Sequence, residues 1–359
     1  MEMGQGQSAY FMAEDGQRFI MTALGAVGLS AKDAETVAAL MILTDRRGAD
    51  THGIARLPIY AQRLKSGAIN PSPKIRIVEE APATALIDGD NGMGHIVMSF
   101  AAELAIEKAA KNGIGWVGAR MSNHAGAAAP YAMMPLAHDM IGIYLAVAEV
   151  NHMAPWGGIE PLLGTNPIAI AIPAQEEAPL VHDIATTVAS NGRIGAAVDS
   201  GETFPEGWMI DREGNAITDP KRAGEGILLP IGGYKGYGLG LAFALMGGAL
   251  NGAPVGRDAS DPKSPPRKPP SNTGQAIMAL DIKRFGPAER FKRGVDKFLR
   301  EVRSSQPLPG KEPVRYPGER GHENFVASGK RGIPLRPATQ AAIEKLAANL
   351  GIEMLKLRS

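Results

Sequence analysis

Residues 163–174, LGTNPIAIAIPA, carry the clearest fold signal in this chain. The Gly-Thr-Asn-Pro half is typical of a tight turn. The alternating Ile and Ala residues that follow predict a short apolar strand over Ile168–Ile172. A second unusual string, DTHGIAR at 50–56, places a histidine between small residues. Each string alone is a weak signal, and their occurrence together and in this order makes them informative.

Bulk composition narrows the class of protein. The chain has 359 residues, enough for one large domain or for two to three smaller ones. A net charge of +1 argues against a nucleic-acid partner, which requires a basic excess. Because cysteine is absent, disulfides, cysteine nucleophiles and thiolate metal sites are excluded.

The N-terminal sequence MEMGQGQSAYFMAEDG has acidic residues but no basic segment before an apolar core. We therefore expect no signal peptide. No uncharged apolar run reaches the length of a membrane span, so no membrane partner is expected. The lack of cysteine fits a reducing compartment, and we expect a cytoplasmic protein.

Hydrophobic periodicity predicts alternating helices and strands. Ser30 followed by Asp33 indicates a capping box at the start of a helix. The predicted helices are Ala9–Val27, Ala31–Arg47, Leu57–Ser66, His95–Asn112, Gly126–His138, Ala288–Arg303 and Pro337–Leu350. The predicted strands are Thr84–Asp88, Ile114–Ala119, Ile141–Val147, Ile168–Ile172 and Ala276–Asp281.

This order predicts an α/β protein with three segments along the chain. Residues 1–82 form an N-terminal helical segment carrying substrate-site residues, and 83–285 form a central α/β domain with a mixed sheet. Residues 286–359 form a C-terminal helical segment that packs with the N-terminal one, so the helical domain is discontinuous. Residues 257–272, RDASDPKSPPRKPPSN, predict a Pro-rich polar loop.

The two common nucleotide-binding fingerprints, G-x-G-x-x-G after a strand and G-x-x-x-x-G-K-[ST], are absent. The nearest candidate is GGYKGYGLG at 232–240. Its glycines would let backbone amides approach a phosphate, and Lys235 would add positive charge at the start of a helix. From the spacing alone, a glycine-rich turn that serves only close helix packing is the favoured interpretation.

His52 is the first candidate for acid–base chemistry. If a helix begins near Gly53, then His52, Arg56 and Tyr60 share one face. That face offers a proton donor, a guanidinium fork for a carboxylate and a phenol. A capping histidine beside a surface arginine is the alternative.

His124 is the second candidate, because the string SNHAG at 122–126 lies between a predicted strand and helix, a usual place for a site loop in α/β proteins. His152 and His182 flank other site strings and could line a cleft. The remaining histidines are expected to be structural, namely His95, His138 and His322. Asp45, His52, His124, His182 and Asp183 could converge on a metal, but no metal-binding spacing supports this, so we predict no metal site.

Further strings extend the pattern from about Leu40 to the C-terminus. They are SNHAG at 122–126, APWGG at 154–158, DIATT at 183–187, LLPIGGYKGYGLGL at 228–241, PGER at 317–320 and LGI at 350–352. With the two opening strings, they resemble the malate/L-lactate dehydrogenases of the second, non-Rossmann type. That family also includes ureidoglycolate, sulfolactate and 2,3-diketogulonate oxidoreductases and cyclic imino-acid reductases.

The resemblance implies an oxidoreductase that uses NAD or NADP and transfers a hydride at C2 of a small 2-hydroxy or 2-oxo acid. It implies a non-Rossmann fold and homodimers or larger assemblies. In the family, a histidine matching His52 delivers the proton together with the preceding hydroxyl residue, Thr51, and an aspartate, best matched by Asp183. In some members the histidine matching His124 has this role.

The resemblance also implies that three segments contact the dinucleotide. Their residues are His182, Asp183, Ile184, Ala185, Thr186, Thr187, Tyr234, Lys235, Gly318, Glu319 and Arg320. Arg56 is the best choice to hold the substrate carboxylate, with Tyr60 beside it. The choice between NAD and NADP stays open, as does the choice between His52 and His124.

The sequence departs from the family pattern at several positions. Thr51 replaces the commoner Ser and keeps the hydroxyl. Ala125 stands where Phe is common, and Pro130 where Gly is usual; AFALMGG follows Leu241 where many members carry a glutamate. These changes alter the pocket and leave the substrate open. A cyclic 2-imino-acid reductase is the first alternative, and a metal-dependent hydrolase or a non-enzymatic binding protein is more remote.

Overall fold

The computed structural model describes residues 9–259 and 271–358. Two predictions concern segments that lie largely outside these residues. They are the absence of a signal peptide at the N-terminus and the Pro-rich loop at 257–272. The helices are α1 Ala13–Ala26, α2 Ala31–Arg46, α3 Leu57–Lys65, α4 Gly94–Asn112, α5 Ala129–Met133, α6 Asn191–Ser200, α7 Tyr234–Gly247, α8 Ala288–Ser304, α9 Glu319–Arg331 and α10 Pro337–Leu350. The strands are β1 Ala9–Phe11, β2 Arg76–Glu80, β3 Thr84–Asp88, β4 Ile114–Ser122, β5 Met140–Ala146, β6 Ile168–Ile172, β7 Leu180–Ile184, β8 Met209–Ile210, β9 Ile227–Leu228, β10 Thr273–Asp281 and β11 Ile333–Leu335.

A seven-stranded mixed sheet forms the centre of the fold, with strand order β2-β3-β4-β10-β5-β6-β7. The pair β3–β4 is parallel and the other neighbouring pairs are antiparallel, which confirms the predicted mixed sheet. Late in the chain, β10 inserts between β4 and β5, so Ile277 lies between Val117 and Tyr144. The sheet therefore closes only after segments far apart in sequence have met.

Helices cover both faces of this sheet. One face packs with α4 and α5 in a buried cluster that includes Val117, Tyr144 and Ile277. Because side chains alternate along a strand, Leu145 points to the other face, where its Cβ lies near Gly247 of α7. The small residues of α4, α5 and β5 bring the helices close to the sheet.

The Gly-Thr-Asn-Pro turn at residues 164–167 joins two parts of the fold. Asn166 is fully buried and has a φ of +27°. Its side-chain oxygen accepts a hydrogen bond from the Ala148 amide at 3.1 Å, and its side-chain nitrogen donates to the Gly240 carbonyl at 3.0 Å. The turn therefore ties the end of β5 to α7, and the strand predicted after it is confirmed at Ile168–Ile172.

The two ends of the chain share one apolar cluster. Its members include Phe11, Met41 and Tyr60 from the N-terminal part and Ile333 and Ile343 from the C-terminal part. The predicted domain boundaries at 82 and 285 stay predictions. Helix α8 contacts the loop between β6 and β7, where the Asp296 carboxylate accepts hydrogen bonds from the backbone amides of residues 175–177.

Two predicted helices differ in the structure. The first begins at Ala13 rather than Ala9, because residues 9–11 form β1 and pair with β11, which buries Phe11. The predicted helix Gly126–His138 begins only at Ala129 and becomes a 3₁₀ turn from Met134. The reasons are a φ of +73° at Gly126 and the interruption by Pro135.

Other local predictions agree closely with the structure. The Ser30 hydroxyl accepts a hydrogen bond from the Asp33 amide at 3.1 Å, which confirms the predicted cap of α2. Strand β3 and helix α10 have the predicted bounds. Within the described part of the chain, every helix is too short or too polar to cross a bilayer.

Candidate active site

A cavity of about 570 Å³ lies between the α2–α3 region and the sheet. Its wall includes the turn after α2, one face of α3, the loop after β4, the chain after β5, β7, the start of β10 and the turn before α9. The predicted site residues in this wall are Thr51, His52, Arg56, Tyr60, His124, Asp183, Ile184, Ala185 and Gly318. Folding therefore brings both candidate histidines to one cavity.

The turn carrying His52 is built on a buried carboxylate. Two 3₁₀ turns, Asp50–His52 and Ile54–Arg56, precede α3, which begins at Leu57 as predicted, so the condition of a helix start near Gly53 is not met. The Asp45 carboxylate accepts a hydrogen bond from the Ile54 amide at 2.8 Å, and burial holds the pKa of Asp45 well above its usual value. A Cβ at Gly53 would overlap this carboxylate, so only glycine fits between the two turns.

His52 lies beside a hydroxyl and a guanidinium. Its Nδ1 lies 2.9 Å from the Thr51 hydroxyl, and its ring stacks on that of His124 with 5.8 Å between centroids. Arg56 donates from Nε to the Thr51 carbonyl at 2.9 Å. Among the described residues, the terminal nitrogens of Arg56 have no protein partner, so they can bind a ligand carboxylate.

His124 is held in one tautomer. The Gly126 amide donates to its Nδ1 at 3.2 Å, so Nδ1 is an acceptor and the ring proton is on Nε2. The Tyr60 hydroxyl lies 2.6 Å from the same Nδ1 and must donate to it. Burial raises the pKa of Tyr60, so the phenol keeps its proton. Tyr60, predicted to bind substrate, thus contacts His124 while lining the cavity.

Both histidines are neutral near pH 7. Burial, and next the charge of Arg56, lower the pKa of His52 to about 4. Burial also holds the pKa of His124 well below its usual value, with further contributions from His52 and Arg56. Neither ring carries a charge that would attract an anion, so that task falls to the arginines.

Asp183 lies on β7 at the far wall and keeps contact with solvent through the cavity. Its carboxylate accepts a hydrogen bond from the Ala129 amide at 2.8 Å. Burial raises the pKa of Asp183, although the hydrogen bonds from the Ala129 and Ala128 amides oppose this effect. Among the described residues, no hydrogen bond joins Asp183 to His52 or His124, so its predicted role in orienting a histidine stays a prediction.

The three segments predicted to contact a dinucleotide meet along one stretch of chain, residues 181–187. Near its start, the Val181 amide donates to the Pro317 carbonyl at 3.0 Å, just before Gly318. Near its end, the Thr186 carbonyl accepts from the Ile231 amide at 3.0 Å, and Thr187 pairs with Pro230. Pro317 of the PGER string therefore contacts Val181, and Pro230 and Ile231 of the LLPIGGYKGYGLGL string contact the end of the DIATT string.

Several predicted cofactor residues lie outside the cavity wall, namely His182, Thr186, Thr187, Tyr234, Lys235, Glu319 and Arg320. Tyr234 and Lys235 are exposed at the N-terminus of α7. The hydroxyl of Thr186 donates to the Thr165 carbonyl and that of Thr187 to the Ala189 carbonyl. These two hydroxyl protons are engaged within the protein.

The cavity wall contains an ion pair that the sequence patterns did not predict. Arg63 donates from Nη1 to Glu149 at 2.9 Å and from Nη2 to the Asn123 side-chain oxygen at 3.0 Å. Glu149 also accepts a hydrogen bond from the His124 amide at 3.2 Å. The spacing of Arg56, Tyr60 and Arg63 could have revealed Arg63, since the three positions share a helical face. Glu149 has no local signal, because its contact with Arg63 depends on how the chain after β5 lies relative to α3.

Within residues 9–259 and 271–358, no group of three or more His, Asp or Glu side chains is placed to hold a metal ion. Of the five residues considered for such a site, the two aspartates form separate hydrogen bonds. Asp45 serves the turn at Ile54, and Asp183 serves the amide of Ala129.

The buried histidines predict a loss of stability in acid. His95 is 1% exposed, its Nδ1 has no hydrogen-bond partner in the part of the chain that the structure describes, and burial lowers its pKa to about 3. The unfolded chain binds this proton near pH 6.5, so stability is lost as pH falls below that value. At pH 5 the loss is about 2 kcal/mol for His95 alone.

The variant His95→Phe removes this titration. We expect its unfolding free energy to fall by about 2 kcal/mol less than that of the wild type between pH 7 and pH 5. Urea denaturation at both pH values measures this difference. The exposed histidine of α9 provides the control, His322→Phe. An equal pH effect in wild type and His95→Phe would contradict the assignment.

Comparison with known proteins identifies the family of this chain. The profile of the malate/L-lactate dehydrogenase family matches residues 11–344. The malate dehydrogenase of Pyrococcus horikoshii is 39% identical over 345 residues, 94% of each chain. The L-sulfolactate dehydrogenase of Methanocaldococcus jannaschii is 38% identical and covers 95% of this chain and 97% of its own. The crystal structure of malate dehydrogenase from Entamoeba histolytica superposes with a TM-score of 0.90 at 31% identity, over 97% of this chain and 99% of that one.

The class of protein follows from the sheet, the cavity and these relatives together: the chain is an oxidoreductase, and its relatives are dehydrogenases of hydroxy acids. More narrowly, it belongs to the malate/L-lactate dehydrogenase family. The family resemblance seen in the sequence strings is thereby confirmed.

Proposed function

We propose that this protein interconverts a small 2-hydroxy acid and the corresponding 2-oxo acid with NAD or NADP. One observation carries the proposal: the neutral His52–His124 pair lies in the same cavity as the end of the Arg56 guanidinium, which has no partner among residues 9–259 and 271–358. The nicotinamide cofactor supplies or accepts the hydride when bound, and the protein positions the reactants and moves the proton.

Arg56 binds the substrate carboxylate in this proposal. Its Nε is fixed on the Thr51 carbonyl, which orients the guanidinium plane and leaves its terminal nitrogens for a bidentate contact. Lysine could not reproduce this geometry, because an ammonium group is a point charge without a planar fork. The carboxylate fixed on Arg56 would place C2 and its oxygen near the two rings.

The hydrogen bonds of the two histidines suggest different roles. A doubly protonated His124 would place an Nδ1 proton against the Gly126 amide proton, so its contacts favour the neutral ring. Neutral His124 can donate from Nε2 to the substrate oxygen. The Thr51 hydroxyl can either donate to or accept from His52 Nδ1, so His52 tolerates both protonation states. We therefore assign the proton transfer to His52.

The residues along 181–187 fit a dinucleotide. Gly318 has a φ of +96°, and a Cβ there would lie 2.7 Å from the Val181 amide, so the turn approaches β7 as closely as only glycine allows. Gly232 and Gly233 also have positive φ, and they lead into the N-terminus of α7, where no described side chain caps the helix. Lys235 has no ion-pair partner among the described residues. These groups would hold the pyrophosphate.

Calorimetric titration of NADH and NADPH into the purified protein tests this proposal and identifies the preferred cofactor. We expect Lys235→Ala to weaken binding by about tenfold, the scale of one charge-assisted hydrogen bond. Added salt should weaken wild-type binding, because a lysine–phosphate contact at the surface is screened. The exposed lysine of α10 provides the matched control, Lys345→Ala. Failure of both cofactors to bind at millimolar concentration would refute the proposed function.

The homodimeric assembly and the cytoplasmic location implied by the sequence stay predictions. The cyclic imino-acid alternative is tested in the same protein preparation. NADH or NADPH oxidation is compared between 2-oxo acids and cyclic 2-imino acids, and a secondary-amine product would identify the reductase activity.

A further inference from the structure

The arginines in the cavity wall near the histidine pair differ in how far their charges are paired within the protein. Two guanidiniums act on the pair closely enough to lower the pKa of His124, those of Arg56 and Arg63. Arg56 keeps its terminal nitrogens free of protein partners within the described residues. Arg63 is instead bound on both sides, to Glu149 and to Asn123.

Glu149 neutralises Arg63 from within the cavity wall. Both carboxylate oxygens accept from Arg63 Nη1, at 3.2 and 2.9 Å, and the two side chains are each about one quarter exposed, 24% and 23%. The same carboxylate holds the His124 amide and accepts from the Thr273 hydroxyl at 3.3 Å. The ion pair is therefore fixed by several hydrogen bonds and does not open easily for a ligand.

The charge of the third guanidinium in the wall, that of Arg47, is also offset by a carboxylate. Arg47 lies near the Asp183 carboxylate, whose charge opposes the lowering of the Arg47 pKa by burial. No lysine lines the cavity among the described residues. With three arginines, two carboxylates and neutral histidines, the wall carries a net charge of about one positive unit.

We propose that Glu149 is a specificity-determining residue that makes the cavity selective for acids with a single negative charge. This inference rests on the proposed function. Arg56 holds the one carboxylate, and the paired Arg63 leaves no second cation for a carboxylate or sulfonate on the substrate side chain. A second anionic group would instead face the Glu149 carboxylate, which repels it.

Oxidation of malate and of its C4 amide tests the proposal with substrates of matched size. Each is assayed as both enantiomers, with L-lactate alongside, using NAD⁺ and NADP⁺. We expect the wild type to oxidise the amide with a kcat/KM at least about tenfold higher than malate. A wild-type preference for malate over its amide would overturn the proposal, and this comparison needs no variant.

Glu149→Gln tests the residue itself. The amide oxygen can still accept from the His124 amide and from Arg63, but the negative charge is gone. We expect the ratio of kcat/KM for malate to that for its amide to rise about tenfold, because the charge of Arg63 is no longer neutralised and the repulsion by Glu149 is removed. Glu160→Gln is the matched control, since Glu160 forms an exposed ion pair with Arg257.

An unchanged ratio in a folded Glu149→Gln protein would overturn the role of Glu149. Absence of turnover of lactate, malate and the amide with either cofactor would refute the proposed function and this inference with it. Turnover with the opposite charge preference would refute this inference alone.

Discussion

Replacement of His52 by alanine is expected to lower kcat by roughly 100-fold or more, the usual scale for loss of a positioned acid or base. The reason lies in its contacts: His52 can exchange a proton while the Thr51 hydroxyl reorients beside Nδ1. Cofactor affinity should change little, because the strings predicted to hold the dinucleotide contact residues 181–187 through Pro230, Ile231 and Pro317. Steady-state kinetics with calorimetry of NADH or NADPH binding separates the two effects.

His124→Ala provides the comparison. It should also reduce turnover, because it removes an Nε2 donor and the partner of the Tyr60 hydroxyl. The pH profile distinguishes the two residues. In the oxidation direction the wild-type kcat/KM should fall as pH drops towards 4, as His52 takes up a proton. His124→Ala should keep this limb, and His52→Ala should lose it. The reverse pattern would exchange the two assignments.

Gly53→Ala is expected to reduce both stability and turnover, although it adds only one methyl group. That methyl would occupy the space of the Asp45 carboxylate, which holds the Ile54 amide between the two 3₁₀ turns. Overpacking of this kind costs about 1–3 kcal/mol. His52 and Arg56 flank the displaced turn, and a shift of about 1 Å at a catalytic group can cost 100-fold in rate.

Gly25→Ala is the matched control, because an added Cβ at this α1 position meets nothing within 4 Å. Alanine in a helix is favoured over glycine by about 0.5–1 kcal/mol, so this variant should be as stable as the wild type or more so. Thermal unfolding and kcat of both variants give the comparison. Wild-type stability and turnover in Gly53→Ala would show that the turn does not depend on close approach to Asp45.

Local sequence patterns determined most of the regular structure. Alternation of Ile and Ala predicted Ile168–Ile172 to the residue, and the Ser30 side chain caps α2 as expected. The strings around residues 50–56 and 122–126 predicted two candidate histidines, and the fold brings their rings together. These signals are local because periodicity, caps and turns depend on neighbours within a few residues.

Patterns with competing local signals were harder to predict. Strand β7 was not predicted, because LVHDI mixes apolar and polar residues without regular alternation on one face. Residues 9–11 continue the helical pattern of α1 but form a strand, since β11, more than 300 residues later, offers a partner. Tertiary pairing overrides local propensity in both cases.

The sequence by itself determined the family, the mixed α/β fold and the two histidines with Arg56. Only the tertiary structure decided their electrostatics. The tautomer of His124 depends on the Gly126 amide and on Tyr60, and the neutralisation of Arg63 depends on Glu149, 86 residues away. Charge and hydrogen-bond geometry act over a few ångströms in space, and the distance between two groups along the chain does not specify their distance in the folded protein.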